Sequence, residues 1–196
     1  ETIREDTTDK LDQYTPVKHG SGITWISVEG LHNVELISRL GECYGLHPLV
    51  LEDIVNATQR PKIEDYGDYI FIVFRLIRLK ESNIETEQVS LILGRDFLLS
   101  FQEGIAVDIF STVRDRLKAG RGRSRAMGPD YLAYCLMDSI VDGYFTVLEG
   151  MGEFVEDIEE ELAKGPLQII LKRITALKRE IIFMRKSVWP LREVTG

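Results

Sequence analysis

The sequence predicts a protein of the α/β or α+β class: a mixed sheet with helices packed on it, followed by a long antiparallel helical hairpin. Three observations predict it. Ile70 to Leu79 is a nearly continuous apolar and β-branched run, interrupted by Arg75 and Arg78, as expected of a strand covered on both faces. Gln88 to Leu93 and Phe97 to Phe101 are strand-like and separated by Gly94-Arg95-Asp96, a connection short enough for antiparallel neighbours. From Pro129 onward apolar residues recur at helical spacing almost to the end of the chain.

Taken in order, residues 1 to about 20 are polar and show no clear period. Ile23 to Val28 is rich in β-formers and runs out before Gly30, which suggests a strand. A helix is expected from about Asn33, a capping residue type, with Val34, Ile37, Leu40 and Tyr44 at helical spacing. Gly45 supplies a left-handed residue to close it. Pro48 suits the first position of a new short helix, which Leu49, Val50, Leu51 and Ile54 hold against the core. His47 before it reads as a helix cap. Gln59-Arg60-Pro61-Lys62-Ile63-Glu64 then turns into a strand, and Lys80 to Asn83 is a polar turn further on. A helix from about Val107 to Lys118 presents Phe110, Val113 and Leu117 inward.

Gly120-Arg121-Gly122-Arg123-Ser124-Arg125 is a glycine-broken basic loop and marks a boundary. It divides the chain into a sheet domain, residues 1–125, and a helical hairpin, residues 126–196. The first hairpin helix runs from Pro129 to Lys164, with Leu132, Leu136, Ile140, Tyr144, Val147, Met151, Phe154, Ile158 and Leu162 on one face. At 1.5 Å per residue it is a rod of about 50 Å. Gly143, Gly150 and Gly152 each weaken it by up to about 1 kcal/mol relative to alanine. After Gly165-Pro166 a second helix carries Leu167, Ile170, Ile174, Leu177, Ile181, Met184, Val188 and Leu191, alternating steps of three and four as in a coiled-coil seam. Glu156 to Glu161 on the first helix faces Lys172, Arg173, Lys178, Arg179, Arg185 and Lys186 on the second. Such pairs select partners more than they stabilise. Pro190 breaks or kinks the second helix.

Composition narrows the function. A net charge of −8 argues against a nucleic-acid binder, which needs a basic face. No apolar run approaches the roughly 20 residues that cross a bilayer, and no leader opens the chain, so the chain as given reads as soluble. The start at Glu1 and the stop at Gly196 beyond an unfinished hydrophobic repeat suggest a fragment of a longer protein. Cys43 and Cys135 lie far apart without metal-ligand spacing and read as two buried free thiols in a reducing compartment. His19, His32 and His47 lack ligand spacing with one another, and glycines form no phosphate-binding loop. No pairing of nucleophile and base is visible, so the chain is not expected to be an enzyme.

Carboxylates are the better lead. Glu52 and Asp53 sit side by side on the short helix, about 100° apart, and can reach one cation, one partner surface or only solvent. Asp138 and Asp142, four residues apart on the long helix, share a face and repel unless a cation or base intervenes; a solvated stripe continuing into Glu149 and Glu153 is the plain alternative. Hard oxygen ligands suit Mg²⁺, Ca²⁺ or Mn²⁺ rather than Zn²⁺, and Mg²⁺ keeps enough waters that one or two carboxylates per subunit suffice.

The ordered set His47-Pro48-Leu49-Val50-Leu51-Glu52-Asp53-Ile54, Gln59-Arg60-Pro61-Lys62, Tyr69-Ile70-Phe71-Ile72-Val73, Glu87-Gln88-Val89-Ser90-Leu91-Ile92-Leu93, Phe101-Gln102-Glu103, Asp130-Tyr131-Leu132 and Trp189-Pro190-Leu191-Arg192-Glu193-Val194 closely resembles the cytosolic domain of the CorA family of divalent-cation (magnesium) transporters. The resemblance runs from about Trp25 to the last residue. It implies a funnel-shaped homopentamer above a transmembrane pore, at the cytoplasmic face of the inner membrane. Regulatory Mg²⁺ (or Co²⁺, Ca²⁺, Mn²⁺) between subunits would favour the closed state. By position it assigns metal-ligand roles to Glu52, Asp53 and Asp138. The family's partner carboxylate lies on a stalk helix expected after Trp189-Pro190-Leu191-Arg192. That helix, both membrane spans and the Gly-Met-Asn pore signature are not in the sequence, so contact with the membrane is expected only through a C-terminal segment beyond it. The alternatives are the same domain of a zinc-transporting relative, or a coiled-coil scaffold that ignores metal.

Overall fold

The computed structural model describes residues 3–5, 7, 22–80, 83–104, 108–120, 127–162 and 166–191. The basic stretch after Gly120, Val107 and the hairpin turn at Gly165 lie outside the described residues. In chain order the elements are β1 (Thr24–Glu29), α1 (Val34–Tyr44), α2 (Pro48–Val55), β2 (Lys62–Asp65), β3 (Tyr69–Lys80), β4 (Asn83–Gly94), β5 (Phe97–Gln102), α3 (Ser111–Lys118), α4 (Pro129–Leu162) and α5 (Leu167–Val188). Among the described residues five strands form one mixed sheet in the order β1-β5-β4-β3-β2. Only the β1–β5 pair is parallel among the described residues, with Trp25 opposite Leu98 and Val28 opposite Phe101.

Strand β3 shows why the sheet needs cover on both sides. Tyr69, Phe71 and Val73 point to one face, with Val50 and Ile54 of α2 and Ile37 and Leu40 of α1. Ile72, Phe74 and Leu76 point to the other, where α4 brings Leu132, Leu136, Ile140, Tyr144 and Val147. Alternate side chains on a strand point to opposite faces, so a run apolar at every position requires two cores. The sheet therefore separates α1 and α2 from α3, α4 and α5.

The caps follow the sequence. Asn33 Oδ1 accepts the Leu36 N–H at 3.0 Å. Gly45 closes α1 at φ +66°, a conformation that costs glycine little. His47 Nδ1 accepts the Leu49 N–H at 3.2 Å, and Pro48 stands in the first turn of α2.

Several expectations need correction. β4 begins at Asn83, not Gln88, because its charged first half is stabilised across the ladder. Glu85 meets Lys80 at 3.1 Å, and Glu87 meets Arg78 at 2.5 Å. α3 begins at Ser111, not Val107. Asp108 holds the preceding turn, accepting the Phe110 N–H at 3.1 Å on its carboxylate and the Ser111 hydroxyl at 2.9 Å on its carbonyl. Val34 and Leu49 are exposed, since the sheet covers only the inner face of each helix. Cys135 is buried as expected, but Cys43 is only partly so; both are free thiols.

The seam on α5 is half of what its spacing implies. Ile170, Met184 and Leu191 are buried, while Leu167, Ile174 and Ile181 are 64%, 42% and 50% exposed. Phe154 is half-buried on α4, and Leu162 is exposed. One helix and the β3–β4 hairpin can cover only one flank of a two-line seam. Opposite charges do meet between the helices: Arg173 pairs with Glu161 and stacks over Phe154 at 4.6 Å. Trp189 caps α5 just before Pro190, so the proline follows a helix end. Among the described residues no helix is long and apolar enough to cross a membrane.

Candidate functional site

Helix α2 sets the position of both acidic residues. Val50 and Ile54 are fully buried against the sheet. At 100° per residue, Glu52 then points away from the core and Asp53 falls on the flank. Glu52 is exposed on the rim of an open, mainly apolar hollow of about 360 Å³ between α1 and α2, lined also by Val34, Ile37 and Leu51.

Asp53 faces the edge strand β2. Its Oδ2 lies 2.6 Å from Lys62 Nζ, and the same ammonium lies 2.7 Å from Glu64 Oε1. Lys62 and Glu64 are two apart on a strand and so share a face. The Tyr66 hydroxyl donates to the other oxygen of Glu64 at 3.1 Å, and Lys62 Nζ sits 5.4 Å from the Phe71 ring centroid. Burial pulls the Lys62 ammonium down, but hydrogen bonds and charge from Asp53 and Glu64 outweigh it and hold the ammonium above its usual value. Burial also raises the Tyr66 phenol, with Glu64 adding to it.

A polar network fixes the backbone behind this group. Gln88, almost wholly buried in β4, donates from Nε2 to the Asp53 carbonyl at 2.8 Å and accepts the Gln59 N–H at 3.1 Å. Glu103 accepts the Gln88 N–H at 3.1 Å. Arg75 donates to the Ala57 carbonyl at 2.8 Å, just past α2. Burial lowers the Arg75 guanidinium below its usual range, with Glu103 opposing.

Asp138 stands elsewhere. It is exposed on α4, as is Asp142, and α4 packs on the opposite face of the sheet from α2. Within one protomer Glu52 and Asp53 adjoin, and Asp138 joins neither. Among the described residues no group of three or more His, Cys, Asp or Glu could hold a metal ion. The donors still suit a hydrated Mg²⁺, which binds through one or two carboxylates. Asp53 already holds a cationic group, the Lys62 ammonium.

The sequence alone assigns no role to Lys62, Glu64 or Gln88. The Lys62-Ile63-Glu64 alternation on a strand was the available signal for the first two. A glutamine inside an apolar strand was the signal for the third.

This arrangement defines a class: a two-faced α/β domain with two adjoining carboxylates on a short helix, packed beside a long helical hairpin. Its fold is shared with the soluble domain of CorA from Methanocaldococcus jannaschii (TM-score 0.68, 19% identity, 82% of this chain and 64% of that one). The ZntB cytoplasmic domain from Vibrio parahaemolyticus shares it as well (TM-score 0.60, 15% identity, 87% and 69%). The family described as CorA-like Mg²⁺ transporter protein matches residues 20–195, and the chain belongs to that family. It is 42% identical over 196 residues to the cobalt/magnesium transport protein CorA of Thermotoga maritima, covering 99% of this chain and 56% of that protein. The chain thus spans little more than half the length of this relative. The family is one of transporters and not of enzymes.

Proposed function

We propose that this chain is the cytosolic Mg²⁺-sensing domain of a CorA-type divalent-cation channel, working in a homopentamer at the cytoplasmic face of the membrane. Family membership supports the transporter class. The observation that carries the sensing role is the Asp53 carboxylate, held on the flank of α2 and already engaged by a cationic group. Glu52 and Asp53 at one edge of a protomer, and Asp138 on α4, are the acids that would face neighbouring subunits.

A bound divalent ion supplies positive charge between carboxylates of adjacent subunits. Without that charge the acids, of whose negative charges Lys62 offsets only one, repel across the contact, the contact loosens, and α4 and α5 carry the change toward the membrane. A ligand shifts such an equilibrium only by its differential affinity for the two states. In the full-length protein, raising Mg²⁺ through the millimolar range should suppress ion flux in the wild type. Asp53→Ala should remain conducting there. Unchanged suppression in that variant overturns the proposal.

The alternative is the equivalent domain of a zinc-transporting relative, since the likeness to the ZntB cytoplasmic domain and to CorA is one of fold alone. Flux of Zn²⁺ in preference to Mg²⁺ through the full-length protein would select it.

A further inference from the structure

Lys62 occupies one oxygen of the Asp53 carboxylate. Its ammonium lies 2.6 Å from Asp53 Oδ2 and 2.7 Å from Glu64 Oε1, so it bridges two carboxylates on two different elements. Strand β2, which carries it, pairs with β3 from Lys62 opposite Val73 to Asp65 opposite Ile70, and that ladder fixes where the side chain starts. Asp53 is fixed as well, because Gln88 holds its carbonyl. The contact is therefore built from the backbone outward on both sides. The side chains of Lys62 and Asp53 are 27% and 22% exposed, so the pair is open to ions yet partly shielded.

We propose that Lys62 is a tethered competitor for the Asp53 cation site and sets the Mg²⁺ concentration at which it fills. This inference rests on the reading of Asp53 as a cation ligand. A hydrated divalent ion approaching Oδ2 meets the ammonium in its place. One approaching Oδ1, which accepts no hydrogen bond among the described residues, meets a unit positive charge a few ångströms away. Filling the site thus means either displacing Lys62, which keeps Glu64 as its remaining anchor, or binding against its charge. The lysine acts on affinity through Asp53; it is not itself a ligand.

The competition distinguishes Lys62 from a residue that merely orients Asp53. A competitor, once removed, leaves a tighter site; an orienting residue, once removed, leaves a weaker one. The test is the thermal midpoint of the full-length protein, in its oligomeric state, titrated with Mg²⁺ alone, because an ion that binds only the folded state raises that midpoint. Wild type, Asp53→Ala, Lys62→Met, Lys62→Arg and Lys80→Met are compared, each first shown by circular dichroism to be folded without added Mg²⁺. Lys62→Met should respond at an Mg²⁺ concentration about thirtyfold lower, the effect of one unit charge on a divalent ion at about 4 Å in unscreened water. Lys62→Arg keeps the charge and should stay near wild type. Lys80→Met removes an equal charge from the exposed Lys80–Glu85 pair and should not reproduce the shift. A Lys62→Met response at the wild-type concentration or above it overturns the proposal, and so does an equal shift in Lys80→Met. A wild-type response that Asp53→Ala leaves intact, or no response at all, overturns the sensing role itself and this inference with it.

Discussion

The hydroxyl of Tyr144 on α4 donates a 2.6 Å hydrogen bond to the backbone carbonyl of Arg75 on β3. Arg75 in turn donates from its side chain to the Ala57 carbonyl, on the other face of the sheet. One residue of the central hairpin is thus tied to the long helix by its backbone and to the end of α2 by its guanidinium. It is a direct polar link between the two layers that carry the candidate acids.

Tyr144→Phe tests that link. The ring is buried, 5% exposed, and the substitution leaves its packing in place while the Arg75 carbonyl loses a partner. A loss of about 1–2 kcal/mol is expected in urea unfolding. Burial pushes the Tyr144 phenol well above its ordinary value near 10, so the folded protein keeps the proton when the unfolded chain releases it. The resulting stability is fully present below about pH 10 and is lost as pH rises toward the folded value. Tyr144→Phe should therefore lose less stability than wild type between about pH 10 and 11. Parallel alkaline profiles for the two proteins would show that the phenol does not titrate with unfolding.

Gln88→Leu tests the support behind Asp53. Gln88 is 1% exposed, and leucine would leave the Asp53 carbonyl and the Gln59 N–H without their buried partner. A destabilisation of about 2–4 kcal/mol is expected, since each buried group left unpaired costs about 1–3 kcal/mol. Hydrogen exchange should locate the effect: the Gln59 amide should lose protection more than the amides of β1. Uniform loss across the sheet would mean that the glutamine serves the fold as a whole and not α2 in particular.

The elements legible in the sequence were those whose local chemistry agrees with their tertiary role. Asn33, Gly45, His47 and Pro48 are capping residue types, and each caps or opens the helix it borders. The apolar run of β3 required cover on both faces and has it. The first half of β4 was hidden because Glu85 and Glu87 look like loop residues until Lys80 and Arg78 are placed opposite them. On α5 the seam spacing was readable, but only a partner on each flank could bury both lines, and α4 with β3 and β4 supplies one. Glu52, Asp53 and Asp138 were legible as carboxylates. The cation on Asp53 was not, because Lys62 reaches it only through the turn after α2.

The three glycines of α4 separate intrinsic helix preference from packing, and they make opposite predictions along one helix. A methyl group at Gly152 would meet nothing within 4 Å, so Gly152→Ala should gain the full helix preference of about 0.5–1 kcal/mol. At Gly143 the nearest atom is Leu76 Cδ1 at 3.9 Å, an ordinary contact, and the gain should be similar. At Gly150 the new carbon would stand 2.6 Å from Leu79 Cδ2, where β3 passes beneath the helix. Leu79 must turn to make room, and overpacking of this kind costs about 1–3 kcal/mol, enough to cancel the preference or exceed it. The two favourable variants should raise the melting temperature by about 2–4 °C per kcal/mol, with Gly150→Ala at or below wild type. A Gly150→Ala protein that melts above the other two would mean that α4 does not run this close to Leu79.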